Sequence, residues 1–165
     1  MLSLQAIISQ RRIPAQIVEF ASPLPTVEQA ALAAGVAPEV IVKTLILHDG
    51  SGYYVAVVLS GDQRIDFKKV QQVVSAKKLK FAPPADVLRV TGYPAGGTPP
   101  FGFDRLLPTL VDRSVLRQQT VLAGGGKAEL LVKLTPAACA ANSTVGSGLA
   151  NSKICAGMRR WEMKT

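Results

Sequence analysis

Val40-Ile41-Val42-Lys43-Thr44-Leu45-Ile46-Leu47 leads through His48 and Asp49-Gly50-Ser51-Gly52 into Tyr53-Tyr54-Val55-Ala56-Val57-Val58-Leu59. Both flanks are rich in β-branched and aromatic residues, which suit a pleated, buried surface. The Asp, Gly and Ser residues between them are turn chemistry, so the segment predicts a β-hairpin in the middle of the chain. Outward from it, helices and strands alternate. Residues 4–10 read as a short helix and 15–20 as a strand. Thr26 is an N-cap with Gln29 at the reciprocal position, and Gly35 stops a helix that buries Val27, Ala30, Ala31 and Ala34. Asp66 caps another helix, with Phe67, Val70, Val73 and Val74 at helical spacing. Pro83-Pro84 opens a shorter one. Residues 106–111, 120–122 and 129–134 read as strands, and Gly124-Gly125-Gly126-Lys127 is the turn between the last two. Helices that precede and interrupt strands predict the α+β class, a mixed sheet packed by helices.

The chain has 165 residues, 48% of them hydrophobic, and a mean hydropathy of +0.25. That is enough for one domain with a real core, and it argues against disorder. No apolar run reaches the ~18–20 residues of a membrane span. At the N-terminus the charges of Arg11 and Arg12 follow the apolar residues, the reverse of a secretory leader, which predicts a cytoplasmic protein. Nineteen Lys and Arg against eleven Asp and Glu give a net charge of +8 and a pI near 9.8. Such a balance favours polyanionic partners, nucleic acid first. The charge is clustered: Lys68, Lys69, Lys77, Lys78 and Lys80 have no acid among them, and Arg105, Arg113 and Arg117 follow later. Two cysteines, Cys139 and Cys155, and one histidine, His48, are too few for a structural zinc site, which takes four ligands. The two thiols are either free or joined in a disulfide, and His48 reads as a strand end.

Thr91-Gly92-Tyr93-Pro94-Ala95-Gly96-Gly97-Thr98-Pro99-Pro100-Phe101-Gly102 is the densest glycine and proline segment. Glycine lets the backbone approach another molecule, while proline fixes φ and removes competing N–H groups. The result is either a tight crossover or a shaped loop that binds an oxygen through main-chain donors. Lys43 is the odd residue of its apolar strand. It fits a solvated strand face, or an ammonium turned into a cleft toward a phosphate or carbonyl oxygen. Gly126-Lys127 lacks the rest of a Walker loop, the 91–102 glycines do not form a dinucleotide fingerprint, and no Gly-x-Ser-x-Gly elbow occurs. An enzyme built from this chain has one lysine, main-chain donors and whatever its substrate brings.

These residues carry a family resemblance. Val42-Lys43-Thr44-Leu45, Asp66-Phe67-Lys68-Lys69-Val70, the 91–102 loop, Leu107-Pro108-Thr109-Leu110-Val111-Asp112 and Gly125-Gly126-Lys127 occur in order and in register. The chain resembles the YbaK-like aminoacyl-tRNA deacylases, also found as the editing domain of bacterial prolyl-tRNA synthetases. The resemblance implies a single compact domain over residues 1–136, a twisted mixed β-sheet, partly barrel-like, with 137–165 as a C-terminal extension. It implies hydrolysis of mischarged aminoacyl-tRNA, with Ala- or Cys-charged prolyl-tRNA as the expected substrate. Lys43 takes the essential lysine position, and Gly96 and Gly97 hold the carbonyl or the attacking water. Gly92, Tyr93, Thr98, Pro100 and Gly102, with Gly124, Gly125 and Gly126, form the expected substrate-binding set. Lys68, Lys69, Lys77, Lys78, Arg105, Arg113 and Arg117 are the expected tRNA contacts. No metal or cofactor is called for, and a prolyl-tRNA synthetase is a candidate partner. The alternatives are an inactive RNA-binding domain or a synthetase accessory protein. Many relatives carry Ser where this chain has Gly124 and Asp where it has Leu131, positions that bear on amino-acid recognition.

Overall fold

A computed structural model of the chain describes residues 2–141 and the backbone of a strand at Met158–Arg160. The hairpin is present as β2 (Val42–His48) and β3 (Tyr54–Ser60), which pair antiparallel from Val42 opposite Ser60 to His48 opposite Tyr54. Pro38–Val40 forms a 3-10 turn, so β2 starts later than its apolar run. All of β3 is buried. It is a central strand, covered on both faces, and each fully buried Val in it stabilises the fold by about 1.5–3 kcal/mol.

Around the hairpin are β1 (Ala15–Glu19), β4 (Lys80–Phe81), β5 (Thr109–Asp112), β6 (Val121–Gly124), β7 (Leu130–Leu134) and β8 (Met158–Arg160). The helices are α1 (Leu4–Gln10), α2 (Val27–Ala34), α3 (Phe67–Val74), α4 (Pro84–Thr91), α5 (Arg113–Leu116) and α6 (Pro136–Ala141). The strands form a five-stranded sheet, β4-β2-β3-β5-β8, and a three-stranded sheet, β1-β7-β6. Only β3–β5 runs parallel among the ladders, and a parallel bridge between Ile41 and Leu122 ties the sheets together.

The caps work as the sequence suggests. Thr26 accepts from the Gln29 amide at 3.1 Å, Gly35 takes φ 66°, and Asp66 accepts from the Lys69 amide at 3.2 Å. β4 and α5 were not legible. A two-residue strand exists only because Leu47 and His48 supply its ladder, and α5 is started by Asp112 accepting from the Ser114 amide at 2.7 Å. The strand expected at 106–111 begins at Thr109. Pro108 cannot donate to the ladder, and the Asp104 and Arg105 amides instead bond back to Thr91 and Val90 at the end of α4.

The core divides by sheet face, because alternate β3 residues point opposite ways. Val55, Val57 and Leu59 pack with Val70 of α3. Tyr54 and Ala56 face Val87 and Val90 of α4, while Val58 meets Val115 of α5 and the β6–β7 side chains.

Candidate active site

Lys43 lies on β2 opposite Leu59, on the face that carries Leu45 and Leu47. It is half-buried, and its Nζ donates to the Gly61 carbonyl at 3.2 Å. An ammonium has three donors, so this tether fixes the head and leaves capacity for another acceptor. Two residues earlier on the same face, Ile41 is buried with Ala30, Ala31, Leu122 and Leu131. Continuing the parallel Ile41–Leu122 bridge by two residues sets Lys43 level with Gly124 at the end of β6.

The glycine loop arrives at the same place. Thr91 closes its start: its hydroxyl donates to the Val87 carbonyl at 2.7 Å and accepts from the Tyr93 amide at 3.0 Å. Gly92, at φ 81°, ends α4. The Pro94 carbonyl then accepts from both the Gly97 amide and the Thr98 hydroxyl at 3.0 Å. The Gly97 carbonyl accepts from the Gly126 amide at 2.8 Å. At the tip, Gly96 takes φ 85° and is exposed, with open space where a Cβ would stand. Gly97 and Thr98 are thus engaged in holding the turn. The amides of Gly96 and Thr98 have no acceptor among the described residues. A Cβ on Gly124 would sit 2.7 Å from the Gly97 carbon and the Thr98 oxygen, so only glycine lets this turn lie on the end of β6. Pro100 is buried behind it.

Other members of the expected substrate set face elsewhere. Gly92, Tyr93, Gly125 and Gly126 line an apolar cleft of about 310 Å³ under α1, closed by Leu4, Ile17 and Leu130; Lys43 does not line it. The Tyr93 ring lies beneath Gly126, and its hydroxyl is buried beside Gly102 and Ile7 without a hydrogen-bond partner. Burial pushes that phenol upward.

The cations fall on two faces. Lys68 and Lys69 are on α3 and Lys77 and Lys78 follow it, on the Lys43 face of the five-stranded sheet. Lys69 pairs with Asp66 at 3.6 Å. Arg105 sits 5.7 Å from the Tyr54 ring centre on the opposite face, and on that side Arg113 opens α5 and Arg117 caps its C-terminal end. The seven are not one patch. Arg113 is half-buried and its Nε has no partner.

Two features escaped the sequence reading. The Gly61 carbonyl anchors Lys43, signalled only by a glycine directly after an apolar strand. Tyr54, Asp86 and Arg89 form a closed network: Tyr54 donates to Asp86 at 3.0 Å, and Arg89 reaches Tyr54 and Asp86 at 2.8 Å each. Cys139 is fully buried and its thiol is pushed up to about 12 by desolvation, which makes it inert. Cys155 lies outside the described residues. Among the described residues no three His, Cys, Asp or Glu side chains converge on a point.

Comparison with known proteins names the fold. The family model described as "Aminoacyl-tRNA editing domain" matches residues 21–141. The chain belongs to that family. It is 35% identical over 120 residues to the "Uncharacterized protein YwhH" of Bacillus subtilis (strain 168), covering 73% of this chain and 76% of that one. It is 27% identical over 133 residues to the "Putative Cys-tRNA(Pro)/Cys-tRNA(Cys) deacylase EbsC" of Enterococcus faecalis, covering 79% and 81%. A crystal structure described as "a putative trans-editing enzyme for prolyl tRNA synthetase" superposes with a TM-score of 0.75 at 30% identity, covering 88% and 96%. Within this editing domain, the two positions expected to bear on amino-acid recognition lie side by side. Gly124 and Leu131 are register partners across β6 and β7. Leu131 is buried among Ala30, Ala31, Ile41 and Leu122, where an ionised Asp would need a partner.

Proposed function

We propose that this editing domain is a free-standing hydrolase that cleaves the ester of mischarged aminoacyl-tRNA, with Ala- or Cys-charged prolyl-tRNA as substrate. The observation that carries this reading is the Ile41–Leu122 bridge, whose register brings the strand of a half-buried, tethered Lys43 alongside Gly124, on which the glycine turn rests. An aminoacyl ester is already activated, so holding water and carbonyl in line is most of the task. Water adds to the carbonyl carbon, and the developing oxyanion is met by the unengaged Gly96 and Thr98 amides and by the Lys43 ammonium. The C–O bond to the ribose then breaks, the ribose oxygen takes the proton, and free amino acid and tRNA leave. The wall of Ile41, Leu122 and Leu131 favours a small uncharged side chain. The description of EbsC as acting on Cys-tRNA(Pro) supports Cys. Lys68, Lys77 and Lys78 share the Lys43 face and are the proposed contacts to acceptor-stem phosphates. The likeness to a trans-editing enzyme supports a prolyl-tRNA synthetase as partner.

The test is a deacylation panel of Ala-, Cys-, Ser- and Pro-charged prolyl-tRNA, with and without the synthetase. Hydrolysis of the first two with Pro-charged tRNA spared supports the reading. RNA binding with no hydrolysis of any ester would assign an inactive binding domain, the reading that Leu131 in place of an acid favours.

A further inference from the structure

Phe81 is an exposed aromatic in a lysine-rich stretch of the chain. The residue is 53% exposed. Phe67 at the start of α3 meets it edge to face, with centroids 5.1 Å apart and planes at 76°, so the ring is braced while half of it stays open. Residues 67–85 contain five lysines and no Asp or Glu. Lys80 precedes Phe81 in the chain, Lys77 and Lys78 lie a few residues before it, and Lys68 follows its contact partner Phe67. All but Lys69 of these lysines are exposed.

The register links this ring to the candidate active site. Phe81 pairs with Leu47, so its side chain is on the Leu47 face of the sheet. Lys43 is on that face too, four residues back along β2, roughly 13 Å away at strand spacing. On this edge of β2, Ala82 continues the β4 contact by donating to the Ile46 carbonyl at 2.9 Å, and β6 comes alongside at the Ile41 end. An extended single strand spans the distance from Phe81 to Lys43 within a few nucleotides.

We propose that Phe81 is a stacking platform for an unpaired base of the RNA 3′ end, upstream of the aminoacylated terminal adenosine. Lysines supply sequence-independent attraction to phosphates, and an aromatic face supplies sequence-tolerant stacking, the pairing used by single-strand binders. The inference rests on the reading that the substrate is aminoacyl-tRNA. An exposed Phe in a lysine-rich segment is also a poor surface for an ordinary protein interface, whose core is depleted of Lys.

The test measures binding of a labelled, unacylated, single-stranded RNA 3′-end oligonucleotide to the full chain by fluorescence anisotropy. Phe81→Ala and Phe81→Leu should each weaken binding by about 5- to 150-fold, the range set by stacking of one base. Phe81→Trp should hold or improve it. In deacylation, Phe81→Leu should raise KM for full tRNA and leave kcat unchanged. Leu keeps apolar bulk on the edge strand, so a loss shared by Ala and Leu is loss of stacking, not of folding. RNA affinity within two-fold of wild type in both variants overturns the inference and leaves the deacylase reading standing. A wild-type chain that binds no RNA overturns both. Reduced self-association of Phe81→Ala with unchanged RNA affinity assigns the ring to a contact between copies of the chain, and also overturns it.

Discussion

On one face of the five-stranded sheet, Tyr54 is surrounded by partners. Its hydroxyl bonds to Asp86 and Arg89, Asp86 and Arg89 pair at 2.8 Å, and His48 stacks at 5.8 Å. On the other face Lys43 has one carbonyl, 3.2 Å away, and an apolar wall. The first cluster has more charges. Its groups satisfy one another, so little is left for a ligand. The second has one charge and bare main-chain donors, packed against a glycine whose added Cβ would press on the Gly97 and Thr98 backbone. The proposed chemistry belongs to the face with unmet hydrogen-bonding capacity, not to the face with more ionisable groups.

The sharpest way to break this contrast is Lys43→Ala. Deacylation measured in single turnover should fall by about 10²–10³-fold, the loss typical of one oxyanion-stabilising group, with the melting temperature unchanged. Arg89→Ala should leave turnover intact. Equal losses in both would end the distinction between the faces. Gly124→Ser places a Cβ against the Gly97 and Thr98 backbone and should lower stability by about 1–3 kcal/mol, as overpacking does. Unfolding by denaturant reads this directly, and an unchanged midpoint would mean that the turn is free to move off β6.

Salt dependence of tRNA binding compares the faces by charge. Changing Lys68, Lys77 and Lys78 together to Ala should flatten log affinity against log salt by about 0.7–0.9 per lost phosphate contact. Changing Arg105 and Arg117 should flatten it less, because they lie on the Tyr54 face. The reverse ranking would move the RNA to that side. Tyr54→Phe removes a hydroxyl from the closed network, and about 0.5–1.5 kcal/mol of stability should go with it while deacylation stays unchanged. The smallest effect concerns pH. The Arg89 hydrogen bond, then the Tyr54 hydroxyl, hold the Asp86 carboxyl below its ordinary 3.8. A depressed folded value means that its stabilisation is complete above that ordinary value and is lost as pH falls through the lowered one. Asp86→Asn should therefore show a shallower acid loss of melting temperature, and an identical acid limb would show the pair to be silent.

Local rules were enough for much of the fold. Residue identity determined the 27–34 and 67–74 helices, because Thr26, Gly35 and Asp66 satisfy helix ends within a few residues of themselves. The β2–β3 hairpin was equally legible, since its pattern and its turn are contiguous. The lysine and the glycine loop were visible as unusual residues in ordinary surroundings. Their relation was not. Only the tertiary structure splits the strands into two sheets, makes a strand of Lys80 and Phe81, hands the Lys43 ammonium to Gly61, and lays residues 97–98 on Gly124. Each of these depends on a partner far away in the chain, and a sequence pattern carries no distance between segments. The same reason separates the cations: clustered along the chain, they are divided by the sheet because α3 and α5 pack on opposite sides of β3.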